Sequence, residues 1–307
     1  MISFKQLTYA LAVANTRHFK RAAEQCAISQ SALSTAISEL ESQLGTQLFE
    51  RDNKKVLVTP VGEQILARAT AIKLELEDIY RLAQEGRTPL SYPLTMGVIP
   101  TIGPYLLPKV LPAVRRDFPD FRLSIAEQQS HLLVEKVRNG ELDTAVIALP
   151  YAHDGLLAFP FWEEDLFLVT HRDSPLGRHK QVNAEQLRDI NLMLLKDGHC
   201  LKDHALAVCH LQASRLGDTL EGASLYTLIQ MVAGHMGSTL VPEMALDQLL
   251  SGSSELQALR LDEPGPHRSI AFIVRPNFGG VGNIDVLKAT FRQALAENLA
   301  GSRQQQQ

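Results

Sequence analysis

Two thiols nine positions apart carry the most specific chemistry in this 307-residue chain. Cys200 and Cys209 lie in the run Asp197-Gly198-His199-Cys200-Leu201-Lys202-Asp203-His204-Ala205-Leu206-Ala207-Val208-Cys209. Apolar spacing predicts a helix from Leu201 to Ala213, with Leu201, Ala205, Val208 and Gln212 on one face and Cys209 beside it. Cys209 is then a packed, protonated and slow thiol. Cys200 falls at the helix start, where the helix dipole favours a thiolate. His199 and Lys202 can add positive charge or a proton donor, and Gly198 permits close backbone approach. A low-pKa thiol so placed attacks a peroxide and becomes a sulfenic acid. A second thiol in the same chain can then close a disulfide. Nine residues of helix separate two Cα atoms by roughly 13 Å, whereas a disulfide needs them within about 7 Å. The bond requires the helix to unwind, so the pair suits a switch better than a staple.

The rest of the chain must position these groups and give them an output. At 45% hydrophobic and 21% charged, it can build real cores. No apolar run approaches a bilayer span, and Met1-Ile2-Ser3-Phe4-Lys5-Gln6 lacks the pattern of a signal peptide, so a cytoplasmic, membrane-free protein is expected. There is no Gly-rich phosphate loop, metal-spaced His/Cys cluster or nucleophile elbow, so neither an enzyme nor a cofactor or metal is expected. The first 62 residues hold seven Lys and Arg against five Asp and Glu, a slightly basic head on an acidic body.

That head reads as three helices and a wing. Ser3 and Gln6 fit a capping box before Phe4, Leu7, Leu11 and Ala14. A second helix covers Phe19 to Cys26, with Cys26 a packing residue, and Ser29 caps a third that Gly45 ends. The third helix buries Leu33, Ala36, Ile37, Leu40 and Leu44. Opposite them, Gln30, Ser31, Ser34, Thr35 and Ser38 form an uncharged hydrogen-bonding stripe. A solvated face ordinarily carries Lys and Glu, whereas short amides and hydroxyls suit base edges in a major groove. Leu48 to Thr59 reads as two short strands around a polar turn, with Arg51, Lys54 and Lys55 placed for phosphates. Thr59 and Pro60 then start a helix reaching Gln84, whose stripe Ile65, Leu66, Ala69, Ile72, Leu76, Ile79 and Leu82 pairs with the same helix of a second copy. Two heads would thus meet one palindromic site on double-stranded DNA.

Beyond a hinge at 87–93, strands and helices alternate as in α/β units with mainly parallel sheets. Strands are expected at 94–99, 122–127, 143–149 and 269–275, and helices at 105–118, 130–139 and 224–234. Crossovers at Phe161-Trp162 and Pro264-Gly265-Pro266 imply two lobes with a ligand cleft between them. Thr101 and Ser130 each place a hydroxyl at a helix start after a strand, where simple capping and ligand binding are both open.

Ala22-Ala23, Ser29 to Ser34, Leu40-Glu41, Leu44-Gly45, Leu48-Phe49-Glu50-Arg51 and Thr59-Pro60-Val61-Gly62 resemble the DNA-binding head of LysR-type transcriptional regulators. The resemblance implies an N-terminal all-α winged helix-turn-helix (1–62) with a linker helix (63–86). After the hinge it implies a C-terminal α/β two-lobed periplasmic-binding-protein-like domain (94–301), with lobe I at 94–161 and 266–301, lobe II at 162–265, and a disordered tail at 302–307. Asp197 to Asp203 with Cys209, and Ile99 to Pro108, resemble the peroxide-sensing branch of that family. This implies Cys200 as peroxidatic and Cys209 as resolving cysteine. It also implies Thr101, Ser130 and His199 as peroxide-pocket residues, with hydrogen peroxide as signal, self-association to a dimer and tetramer, and contact with RNA polymerase. Ser31 stands where the family usually has Pro, Ser130 where Thr is usual, and Ala223 where Thr is common. The alternative is a regulator answering a small organic effector in the cleft, with the thiols incidental.

Overall fold

The computed structural model describes residues 1–52, 55–85, 89–188, 190–209 and 221–304. They form two compact units, Met1–Ala83 and Gln84–Gln307.

In the first unit α1 (Phe4–Thr16) opens on the expected capping box: Ser3 Oγ accepts from Gln6 N and Ser3 N donates to Gln6 Oε1. After α2 (Phe19–Gln25), Ser29 Oγ accepts from Ala32 N to start α3 (Gln30–Leu44), and Gly45 ends it at φ +67°. Val13, Ala22, Leu33, Ile37, Leu40 and Leu48 are sealed between the three helices, with half-buried Cys26 packed against them. The wing is β1 (Phe49–Asp52) antiparallel to β2 (Lys55–Val58). Glu41 fastens it: Oε1 accepts from Leu48 N at 2.8 Å and Phe49 N at 3.1 Å. The helix α4 (Pro60–Glu85) is capped by Thr59, whose Oγ1 accepts from Gly62 N. A Cβ on Gly62 would run into the Leu48 carbonyl, so this turn demands glycine. Leu66 and Ala69 are buried, but Ile72, Ile79 and Leu82 remain at least half exposed on α4.

The second unit holds two sheets. One contains β3 (Leu94–Val98), β4 (Leu123–Glu127), β5 (Thr144–Leu149), β6 (Leu157–Glu164) and β13 (Arg268–Val274), in the order β4-β3-β5-β13-β6. Its helices are α5 (Gly103–Asp117), α6 (Ser130–Arg138) and α11 (Val281–Gln304). The other sheet has the order β10-β9-β11-β7-β12-β8, from β7 (Leu166–His171), β8 (Gln181–Val182), β9 (Leu192–Leu195), β10 (Glu221–Gly222), β11 (Ser238–Pro242) and β12 (Leu256–Leu261). With it go α7 (Ala184–Arg188), α8 (Cys200–Val208), α9 (Leu225–Ala233) and α10 (Glu243–Leu250).

Both sheets are mixed, which corrects the expectation of mainly parallel strands. β13 returns from the second lobe and lies antiparallel to both β5 and β6, and β7 lies antiparallel to β11 and β12. The exchange between lobes falls at Asp165, because Trp162, Glu163 and Glu164 still pair with β13. The expected hinge is docked from Leu90 onward: Leu90 is buried and its N–H donates to Asn283 Oδ1. Of the expected tail at 302–307, α11 continues as far as Gln304 and the last three residues lie outside the described residues. The thiol helix α8 begins at Cys200 itself and is described as far as Val208, with Cys209 as its C-cap; Gln212 and Ala213, to which it was expected to run, lie outside the described residues. Among the described residues, no helix is long and apolar enough to cross a membrane.

Candidate thiol site and nucleic-acid interface

Cys200 is the first residue of α8 and Cys209 its C-cap. Both thiols are free and buried, at 2% and 0% exposure. Gly198 turns the chain into α8 at φ +95°, a backbone conformation that favours glycine.

Burial is the dominant influence on Cys200 and pushes its thiol pKa up. The expectation of a preformed low-pKa thiolate is therefore corrected. The expected cations are also engaged elsewhere. Lys202 Nζ is clamped between Asp197 Oδ1 at 2.7 Å and Glu221 Oε1 at 2.8 Å. Burial holds the His199 imidazole below its usual value, so it is neutral near pH 7. Three groups do oppose the burial cost: the Ser130 hydroxyl, the Arg268 guanidinium and the Ala148 backbone N–H. Each favours the thiolate once it forms. Ser130 Oγ is itself buried without a conventional hydrogen-bond partner, so the thiol is what it has to serve. Cys209 has only opposition: burial, with Glu263 adding to it, pushes its thiol up to about 12. Its packing, with no exposure to solvent, is what its spacing suggested.

Arg268 escaped the sequence reading. It is fully buried, and its Nε donates to Glu164 Oε1 at 2.8 Å while NH2 lies 2.6 Å from the same oxygen. NH2 also donates to the Thr101 carbonyl at 3.2 Å, and NH1 reaches Thr101 Oγ1 at 3.5 Å. Glu164 Oε2 in turn accepts from Met244 N at the start of α10. One ion pair thus joins β13, β6, α10 and the loop before α5, and its guanidinium charge lies near enough to Cys200 to favour the thiolate. The only local clue was an Arg at the edge of the apolar strand 268–274. His204, one turn beyond Cys200, had no role in the sequence beyond failing to form a metal-spaced cluster; it is buried, held neutral by burial, and bonds Pro150 O through Nε2.

Thr101 and Ser130 thus converge on Cys200, Thr101 through Arg268 and Ser130 directly. His199 instead lines a cavity of about 270 Å³ between the two lobes, which Thr101 also lines. Among the described residues no cluster of His, Cys, Asp and Glu is placed to hold a metal. The thiol chemistry makes a pH prediction. With the Cys200 pKa above the working range, its thiolate fraction grows about tenfold per pH unit. Stopped-flow oxidation by peroxide is expected to accelerate accordingly from pH 6 to pH 8. A flat profile would show a preformed thiolate.

On α3, Gln30, Ser31, Thr35 and Ser38 are exposed and Ser34 is half-buried. Two hydroxyls are partly occupied at home. Ser31 Oγ lies 3.0 Å from the capping Ser29 Oγ, and Thr35 Oγ1 donates to the Ser31 carbonyl at 3.0 Å. Ser31 therefore reinforces the start of α3, a task that Pro would do by its ring. Arg51 belongs to β1, but its side chain, like all of Lys54, lies outside what is described.

Residues 4–63 match the bacterial regulatory helix-turn-helix protein model of the lysR family, and residues 87–296 match the LysR substrate binding domain. The chain belongs to the LysR family of transcriptional regulators. Its helix-turn-helix head makes it a DNA-binding protein. Among relatives, the HTH-type transcriptional regulator EstR of Acinetobacter baylyi is 38% identical over 297 residues, 96% of this chain and 97% of that one. A probable hydrogen peroxide-inducible genes activator of Streptomyces viridosporus is 37% identical over 296 residues, 96% of this chain and 95% of that one. Among solved structures, a full-length OxyR variant from Pseudomonas aeruginosa superposes with a TM-score of 0.80 at 35% identity, covering 95% of this chain and 98% of that one. The fold of this LysR-family regulator is accordingly a helix-turn-helix head and a two-lobed body.

Proposed function

We propose that this LysR-family regulator senses hydrogen peroxide and converts it into a change in transcription of oxidative-stress genes. The observation that carries the reading is the convergence of Ser130, the Ala148 N–H and buried Arg268 on the thiol at the start of α8. The Cys200 proton leaves as its sulfur attacks one peroxide oxygen. The O–O bond breaks, water departs and Cys200 becomes a sulfenic acid. Cys209 sulfur then displaces that hydroxyl as a second water, leaving a Cys200–Cys209 disulfide. Arg268 and Ser130 stabilise the charge that develops on sulfur, and Thr101 and His199 hold the peroxide. Intact α8 keeps the two Cα atoms roughly 13 Å apart, so the bond forms only as α8 unwinds. The refolded lobe repositions the heads.

Those heads read a palindromic operator on double-stranded DNA. Gln30, Ser31, Ser34 and Thr35 meet base edges while Arg51 and Lys54 meet phosphates. The exposed apolar residues of α4 support pairing with a second copy, and pairing of bodies extends this to a tetramer. RNA polymerase is the partner that receives the signal, and the cytoplasm is where it acts. Mass spectrometry after stoichiometric hydrogen peroxide tests the chemistry: a Cys200–Cys209 peptide is expected, and an unmodified Cys200 sinks it. Binding assays test the heads. Arg51→Ala is expected to weaken all sites together and reduce the salt slope by about one. Gln30→Ala is expected to relax sequence choice, by about 1–3 kcal/mol at one base pair.

The cavity favours a second reading, in which a small organic effector in the interlobe cleft is the signal. That reading expects Cys200→Ser to regulate normally.

A further inference from the structure

We propose that His204 is a positioning residue for the disulfide step, and that release of its hydrogen bond to the Pro150 carbonyl sets how fast Cys209 reaches the Cys200 sulfenic acid. The inference rests on the peroxide reading above and concerns the second of its two steps.

The helix α8 is held from two sides. Its buried residues come as two pairs four positions apart, Cys200 with His204 and Leu201 with Ala205. Residues so spaced share a helix face. Leu201 and Ala205 face their own lobe, in a small gap lined also by Leu194 of β9, Leu240 of β11 and Leu228 of α9. Cys200 and His204 face the other lobe, at the end of β5. There the Ala148 N–H donates to the Cys200 sulfur. Two residues on, the Pro150 carbonyl accepts from His204 Nε2 at 2.9 Å. Thiol and imidazole are thus neighbouring ties between α8 and one strand end of the other lobe.

The two ties have different fates. Oxidation changes the Cys200 tie itself. His204 takes no part in that reaction, because the groups that act on the thiol, beside burial, are Ser130, Arg268, Ala148 and Asp203. Its bond therefore persists into the sulfenic acid state and must break before α8 unwinds. The bond is also suited to release. Burial holds the imidazole neutral, and a carbonyl only accepts, so Nε2 carries the proton and Nδ1 a lone pair. Nδ1 is buried with no hydrogen-bond partner among the described residues. Unwinding gives both nitrogens to water, which offsets part of the cost of the lost bond. Pro150 is itself exposed, so water is at hand for its carbonyl.

The gated step balances within the chain. Cys209 sulfur attacks Cys200 sulfur, the S–O bond breaks and the S–S bond forms. The hydroxyl leaves as water with the proton that Cys209 gives up.

The test uses the full-length reduced chain and a small excess of hydrogen peroxide, quenched at successive times. Dimedone trapping with mass spectrometry times the Cys200 sulfenic acid, and the Cys200–Cys209 peptide times the disulfide. Three variants carry good helix formers, so helix propensity is not the variable. His204→Gln keeps a donor at the reach of Nε2, His204→Met has similar length and no donor, and His204→Ala has neither. Sulfenic acid formation is expected to be unchanged in all three. Disulfide formation is expected to speed up about fivefold in His204→Met and His204→Ala, the factor that the net free energy of one hydrogen bond represents. His204→Gln is expected to keep the parental rate. A disulfide rate that His204→Ala leaves unchanged, or that His204→Met restores as fully as His204→Gln, overturns the inference while the peroxide reading stands. A sulfenic acid rate that falls in His204→Ala and His204→Met moves His204 to the first step and overturns it as well. No modification of Cys200 in the unmutated chain overturns both.

Discussion

Arg268→Met is expected to destabilise the body by about 3–5 kcal/mol and to slow oxidation of Cys200. The stability loss comes from Glu164, which is only 3% exposed and would be left as an uncompensated buried charge. The rate loss comes from the thiol, which would lose a charge that favours its ionised form. The two effects separate in the double variant Arg268→Met with Glu164→Gln. The neutral amide removes the stranded charge, and its oxygen can still accept from Met244 N. Thermal unfolding should recover most of the lost stability while peroxide oxidation of Cys200 stays slow. Recovery of both would make Arg268 a scaffold residue with no influence on the thiol.

Oxidation is expected to strip hydrogen-exchange protection from α8, and Cys209→Ser is expected to prevent it. The reduced chain holds Cys200 at the first position and Cys209 just past the last of a nine-residue helix. Closing from roughly 13 Å to within about 7 Å breaks most of the helix bonds and pulls Cys209 from a site with 0% exposure. Cys209→Ser should stop at the Cys200 sulfenic acid, trapped by dimedone, with α8 amides still protected. Cys200→Ser should show neither modification nor response. Protection that survives a verified Cys200–Cys209 bond would disprove the unwinding step.

Much of the head was legible residue by residue. Ser3 with Gln6, Ser29, Gly45 and Thr59-Pro60 are signals that act within three or four positions, and each cap formed where its residues stand. The order of strands and helices in the body was readable for the same reason. The partner of a strand was not. β13 meets β5 and β6 only after the whole second lobe intervenes, so its direction, and with it the mixed character of the sheet, depended on where the chain returns.

The thiol site divides along the same line. Its address could be read from the chain: a glycine able to turn at φ +95°, a Cys at a helix start and a second Cys too far along that helix to bond. Its electrostatics could not. Local spacing nominated Lys202 and His199 as the positive neighbours, but Asp197 and Glu221 hold the first and burial neutralises the second. The cation that serves the thiol is Arg268, 68 positions away and paired with Glu164 across 104. The sign of the Cys200 shift follows from how much water the packed lobes exclude. Helix caps and periodicity are short-range properties of a chain, whereas desolvation belongs to the assembled body, and it is the largest influence on the Cys200 thiol.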